Sequence, residues 1–132
     1  MASVIPKEVK KEVIDGYVAE TWKVCLLTNS FTYVDGTHVL YTDLTNEVSG
    51  SGYTAGGETV AGKVANYADT VNCMVDATDT AWPASTFSAR YAVVYNTVTL
   101  KIRCIIDLGA DYAVTTGTFT IQWNVGGIVK IS

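Results

Sequence analysis

Phe87-Ser88-Ala89-Arg90-Tyr91-Ala92-Val93-Val94-Tyr95 and Leu100-Lys101-Ile102-Arg103-Cys104-Ile105-Ile106-Asp107-Leu108 are the stretches that decide the fold. Both are rich in β-branched and aromatic residues, and both change character every second residue, the period of a strand and not of a helix. The first is expected to turn Phe87, Ala89, Tyr91, Val93 and Tyr95 to one face. The second sets Leu100, Ile102, Cys104, Ile106 and Leu108 against Lys101, Arg103, Ile105 and Asp107. Working outward, Trp22, Val24 and Leu26 share a face of an earlier strand, and Phe119, Ile121, Trp123 and Val125 alternate with Thr120, Gln122 and Asn124 in a later one. Further strands are predicted at 31–34, 58–66, 71–75 and 127–131, with turns at Asp35-Gly36, Asp79-Thr80 and Thr116-Gly117. Gly109 reads as the end of the Leu100–Leu108 strand, and 38–47 as a loop or a single helical turn. About seven or eight strands at this spacing predict an all-β, antiparallel sandwich or barrel, one strand face in the core and the other wetter.

Ahead of the strands, Ile5, Val9, Val13 and Tyr17 recur every fourth residue, so 3–15 is predicted to form one short amphipathic helix. Ser3 is its expected cap, Pro6 lies in its first turn and Gly16 is its expected terminator. The 132 residues make one domain, 1–20 a helix or arm and 21–132 the β-sandwich. The helix either packs on the domain or serves as a docking arm.

Hydrophobic residues are 48% of the chain and charged ones 17%, with a mean hydropathy of +0.22. A small domain has limited interior, so this surplus predicts apolar surface covered by other subunits. The net charge is −4, and Asp35, Asp43, Glu47, Glu58, Asp69, Asp76 and Asp79 face Lys63 alone over 35–79. Arg90 and Arg103 are isolated in strand-like segments, so no nucleic-acid partner is expected and local salt bridges are. Cys25, Cys73 and Cys104 are odd in number, lack CxxC spacing and sit in apolar runs, and are expected as buried free thiols in a reducing compartment. No apolar run approaches a membrane span and no signal peptide is read, which predicts synthesis and assembly in cytosol.

Asn46-Glu47-Val48-Ser49-Gly50-Ser51-Gly52-Tyr53-Thr54-Ala55-Gly56-Gly57 is a shaped, glycine-rich loop around one tyrosine expected to be exposed. It lacks the lysine of a phosphate-binding loop and the strand-then-glycine spacing of a dinucleotide site. His38 is the only histidine, and Asp35-Gly36-Thr37-His38 reads as a turn whose aspartate bonds the backbone, not as catalytic machinery. Asp69, Asp76 and Asp79 match no calcium-loop spacing, and Asp107 and Asp111 read as a solvated turn and not an acid–base pair. No cofactor, metal or catalytic residue is predicted. Tyr33, Tyr41, Tyr53, Tyr67, Tyr112 and Trp82 could serve as platforms for sugar rings or as protein-contact residues.

In order and spacing, Trp22-Lys23-Val24-Cys25-Leu26-Leu27-Thr28, Asp35-Gly36-Thr37-His38, the 46–57 loop, Trp82, Ser88-Ala89-Arg90-Tyr91-Ala92-Val93-Val94-Tyr95, Ile106-Asp107-Leu108-Gly109, Phe119-Thr120-Ile121-Gln122-Trp123-Asn124 and Gly126-Gly127-Ile128 resemble small virion proteins of tailed bacteriophages. The resemblance implies a non-enzymatic structural role, a jelly-roll-like sandwich, and a capsid decoration or cement protein. Such a protein would bind the major capsid protein on the shell exterior as a homotrimer. The expected contact residues are Glu47, Ser49, Gly50, Gly52, Tyr53, Thr54, Gly56 and Gly57, and Tyr53→Ala or Gly52→Val is expected to weaken particle binding and spare the fold. The alternative is a tail or fibre component that recognises a host-surface glycan through its tyrosines.

Overall fold

The computed structural model describes residues 3–67, 73–123 and 128–131. Helix α1 (Lys7–Ala19) is followed by strands β1 (Trp22–Leu27), β2 (Glu58–Thr59), β3 (Val64–Asn66), β4 (Cys73–Asp76), β5 (Thr80–Asn96), β6 (Ile102–Ile121) and β7 (Val129–Ile131). They form a four-stranded sheet in the order β2-β1-β5-β6 and a three-stranded sheet in the order β3-β4-β7, every pairing antiparallel. The mainly-β reading holds. Within 38–47 a single 3₁₀ turn, Tyr41–Asp43, forms where a loop or one helical turn was expected.

Several boundaries differ from the sequence reading. The run 58–66 splits into β2 and β3, which belong to different sheets, because Gly62 takes a left-handed φ of +67° between them. Residues 31–34 form no strand; Phe31 is buried while Tyr33 and Val34 are exposed. Neither Gly109 nor Thr116-Gly117 ends a strand, and β6 runs through both. Between Ala89↔Tyr112 and Tyr91↔Asp107 β5 advances two residues and β6 five, so the surplus around Gly109 is absorbed as an irregularity inside the ladder. Thr116, at φ +46°, absorbs one more. The predicted strand residues Val71 and Val125 lie outside the described residues.

These irregularities divide the apolar residues between two cores. Phe87 and Ala89 join Val24, Leu26, Ala92, Val94, Val75, Trp22, Trp82, Phe119 and Ile121 in a main core that the two sheets share. Tyr91, Val93 and Tyr95, predicted on the Phe87 face, belong instead to a second cluster with Cys25, Leu27 and Phe31, on the opposite side of the four-stranded sheet. The face changes between Ala89 and Tyr91, at the register shift. The far side of the sheet is therefore not the wetter face near the β5–β6 turn, since β1 is buried on both sides there.

Helix α1 packs on β3 and β4. It begins at Pro6, which caps it by backbone geometry with no side-chain hydrogen bond, and not at Ser3; it also continues through Gly16. Ile14 is fully buried, Lys10 is buried, and Tyr17 and Val18 are half-buried against the main core. The four-residue stripe is consequently turned outward: Ile5 is 57% exposed, Val9 45% and Val13 39%. Lys7 Nζ donates to the Tyr67 carbonyl at 2.9 Å, and the Tyr67 hydroxyl donates to Asp15. At the helix end Glu20 accepts from Trp22 Nε1 at 2.8 Å and from the Arg103 fork at 2.9 and 2.6 Å, tying α1 to β1 and β6. Among the described residues no helix is long and apolar enough to cross a membrane.

Candidate functional site

The glycine-rich loop is folded back onto its own domain. Its start pairs with the end of β1, with the Thr28 N–H donating to Asn46 O and the Val48 N–H to Leu26 O, both at 2.9 Å. Its middle pairs with β5, with the Thr86 N–H donating to Ser51 O at 2.9 Å. Two glycines make that approach possible. A Cβ on Gly57, at φ +82°, would lie 1.9 Å from the Val24 carbonyl oxygen, and one on Gly52, at φ +83°, would lie 2.4 Å from Ser85 Oγ. At both positions the backbone presses against a neighbouring strand in a conformation that side chains resist.

Glu47 is the centre of the loop. Its Oε1 accepts from the Tyr41 hydroxyl at 2.6 Å; its Oε2 accepts from the Tyr53 hydroxyl at 2.5 Å and from the Gly56 N–H at 2.8 Å. The Tyr53 hydroxyl in turn accepts from the Leu26 N–H at 3.0 Å, and the Tyr95 hydroxyl donates to the Gly56 carbonyl at 2.6 Å. Tyr41 and Tyr95 stack with centroids 4.6 Å apart. One carboxylate thus binds the loop, the 3₁₀ turn and, through Tyr53, β1. Burial, and then the hydrogen bond to Glu47, pushes the Tyr41 and Tyr53 phenols well above the usual range. Burial first and neighbouring negative charge second push Tyr95 up to about 12. The Cys25 thiol is likewise pushed up to about 12, by burial and then by Glu47. Such a network keeps the three phenols and the thiol protonated and fixes the loop on the domain.

Of the eight expected contact residues, Ser49, Gly50, Gly52 and Thr54 are exposed, Glu47, Tyr53 and Gly57 half-buried, and Gly56 buried. Tyr53 is not the exposed tyrosine the sequence suggests, because its ring packs on Trp82 and Phe87 in the main core. Tyr53→Ala and Gly52→Val are therefore changes to the fold as well as to any contact. Tyr41 and Tyr95 were missed as partners of Glu47, since no local pattern links residues 41, 47, 53 and 95. Trp82 is fully buried and serves no surface platform, whereas Tyr33 and Tyr112 are exposed.

The remaining candidates are also placed. The Val34 N–H donates to His38 Nδ1 at 2.9 Å, so the histidine stabilises the turn, while Asp35 accepts from the Tyr33 hydroxyl at 2.8 Å instead of bonding the backbone. Asp107 pairs with Arg90 at 2.9 Å, and the Arg90 hydrogen bond and the Gly109 N–H hold its carboxyl below the usual range. Asp111 accepts from Asn29 at 2.9 Å. Asp76 accepts from the Ala77 N–H at 2.8 Å, and Asp69 lies outside the described residues. Among the described residues no group of three or more His, Cys, Asp or Glu side chains is arranged to hold a metal. All three cysteines are unpaired, Cys25 and Cys73 buried and Cys104 half-buried. Both arginines make the local ion pairs expected of them, Arg90 with Asp107 and Arg103 with Glu20.

A separate cleft of about 670 Å³ opens beside the second core, between the 33–39 turn and the Tyr91 and Ile105 region of β5 and β6. No known protein family, curated protein or solved structure matches this chain.

Proposed function

We propose that the protein is a non-enzymatic structural component of a tailed-bacteriophage virion: a decoration or cement protein bound as a homotrimer to the outside of the major capsid shell, its two sheets closing as a jelly-roll-like sandwich. The observation that supports this reading is the outward apolar stripe on α1. Val9 and Val13, with Val4 and Ile5 ahead of them, lie on solvent while the helix is anchored by its other side through Ile14, Tyr17 and Val18. A helix held this firmly and still presenting valines outward suits a protein contact. The exposed Glu8 and Glu12 lie beside the stripe in sequence, which favours a partner surface with basic residues there.

Binding would stabilise the shell by mass action, because a ligand that binds assembled subunits and not separated ones adds its binding free energy to the assembly. The 46–57 loop contributes through its exposed residues Ser49 and Thr54, held rigid from beneath by Glu47. The test is co-sedimentation with expanded capsids, using a Val9→Asp/Val13→Asp variant. Loss of capsid binding with the circular dichroism spectrum unchanged is the expected result. Full retention of binding by that variant would remove α1 from the contact, and a monomer by light scattering would remove the trimer.

A further inference from the structure

The cleft at the 33–39 turn has a wall of aromatic rings. Phe31 and His38 lie 4.9 Å apart, Phe31 and Tyr91 5.4 Å, and Tyr33 and His38 6.0 Å, so one connected cluster runs from the buried core to the surface. Tyr33 is its outermost ring, 46% exposed, and Tyr91 lines the interior of the cleft with Ile105. The charged and ring-nitrogen lining is Asp35, Asp107, His38 and Arg103. The turn that carries Tyr33 and Asp35 is itself ordered: the Thr37 and His38 N–H groups both donate to the Val34 carbonyl, at 3.2 and 3.1 Å.

Charge narrows the ligand. The nearby cations are already committed, Arg103 to Glu20 at 2.6 Å and Arg90 to Asp107 at 2.9 Å. With Asp107 and Arg103 each held in an ion pair, an anion entering the cleft would meet Asp35, the lining charge that has no ionic partner among the described residues. A neutral ring bearing hydroxyls suits the same lining. Its apolar face can lie on a tyrosine ring, and its hydroxyls can donate to a carboxylate that accepts without surrendering a proton. We propose that this cleft binds a neutral glycan residue, stacked on Tyr33 with its hydroxyls donating to Asp35. The site is independent of the Glu47 network and of the α1 stripe, so the inference holds whether or not the protein sits on a capsid.

The test is a titration of isotope-labelled protein with maltotriose and with triacetylchitotriose, followed by amide chemical shifts, with sialyllactose as the acidic comparator. One of the neutral sugars is expected to bind in the millimolar range and to move the amides of the 33–39 turn, Tyr91 and Ile105. Tyr33→Ala should weaken that sugar at least about tenfold and Tyr33→Phe much less, because stacking resides in the ring. Asp35→Asn should weaken it as well, and Val64→Ala, exposed on β3 of the other sheet, should leave it unchanged. Three outcomes would overturn the proposal: no response to either neutral sugar, undiminished response in Tyr33→Ala, or tighter binding of sialyllactose.

Discussion

Replacing Glu47 by alanine tests the claim that one carboxylate holds the glycine-rich loop on the domain. The change removes the acceptor for the Tyr41 hydroxyl, the Tyr53 hydroxyl and the Gly56 N–H. A hydrogen bond to a charged group is worth about 1.5–3 kcal/mol, but the three share one acceptor and do not add in full. Tyr41 is partly open to solvent and can rehydrate, whereas Gly56 is buried and the Tyr53 ring is fixed in the core. Two of the three losses therefore count nearly in full, giving about 3–4 kcal/mol. Glutamine keeps one acceptor oxygen for Tyr53 and Gly56 and can donate to the Tyr41 oxygen, so Glu47→Gln should cost only about 1–2 kcal/mol. With a urea slope near ~1.5 kcal/mol/M, the alanine variant should unfold about 2 M urea earlier and the glutamine variant about 1 M earlier. Hydrogen exchange should find the Leu26 and Gly56 amides less protected in the alanine variant. A midpoint within about 0.3 M of the parent for Glu47→Ala, or equal losses for the two variants, would refute the reasoning.

The tyrosines supply a test at high pH. Tyr41, Tyr53 and Tyr95 have folded-state pKa values raised above those of the unfolded chain, so their contribution is complete below about pH 10 and is lost as pH rises further. An ultraviolet titration should show part of the eight-tyrosine signal appearing only with alkaline unfolding; smooth titration of all eight in the folded protein would contradict this. Glu20 works in the opposite sense. Burial acts to raise its carboxyl, but the Arg103 fork and the Trp22 indole together hold it below its ordinary value of 4.5, so its stabilisation is present above that pH and fades as pH falls through the lower folded value. Glu20→Gln should therefore lower stability by about 1–2 kcal/mol at neutral pH and by less under acid conditions, read by denaturant melts at both. Glycine changes should separate by environment. Gly57→Ala forces a Cβ onto the Val24 carbonyl and should cost about 3 kcal/mol or more, whereas Gly16→Ala, in open space within α1, should stabilise by about 0.8–1 kcal/mol, both checked by thermal melts.

Alternation made the β-rich class legible, since Trp22, Val24 and Leu26 share the main core and Cys104, Ile106 and Leu108 pack against it as their spacing implies, whereas Leu100 and Ile102, expected on that same face, pack with Ile105 against the second cluster. It could not reveal that Phe87 and Tyr91 face opposite ways, because the change of face falls at the register shift between Ala89 and Tyr91, which local alternation does not encode. Periodicity in α1 was equally incomplete. Ile5, Val9 and Val13 form the better hydrophobic stripe, yet Ile14 and Tyr17 are packed inward, since Lys7, Asp15 and Tyr67 orient the helix by polar contacts that no periodicity encodes. The loop was recognisable as ordered from its glycines, but its role as a self-contained structure depends on Tyr41 and Tyr95, remote in sequence. The Tyr33 cleft is not legible in the sequence because Phe31, His38 and Tyr91 are brought together by the non-strand path of residues 31–34.

The most direct measurement of the proposed virion role is a cryo-electron microscopy map, at side-chain resolution, of the particle proposed to carry this chain, with the chain traced by its three tryptophans. The account predicts trimeric density on the outside of the capsid shell, with the Val9 and Val13 face of α1 against a capsid subunit and the 46–57 loop still closed on β1. Density at the tail or fibre tip, or a shell-bound copy whose α1 stripe faces solvent, would contradict it.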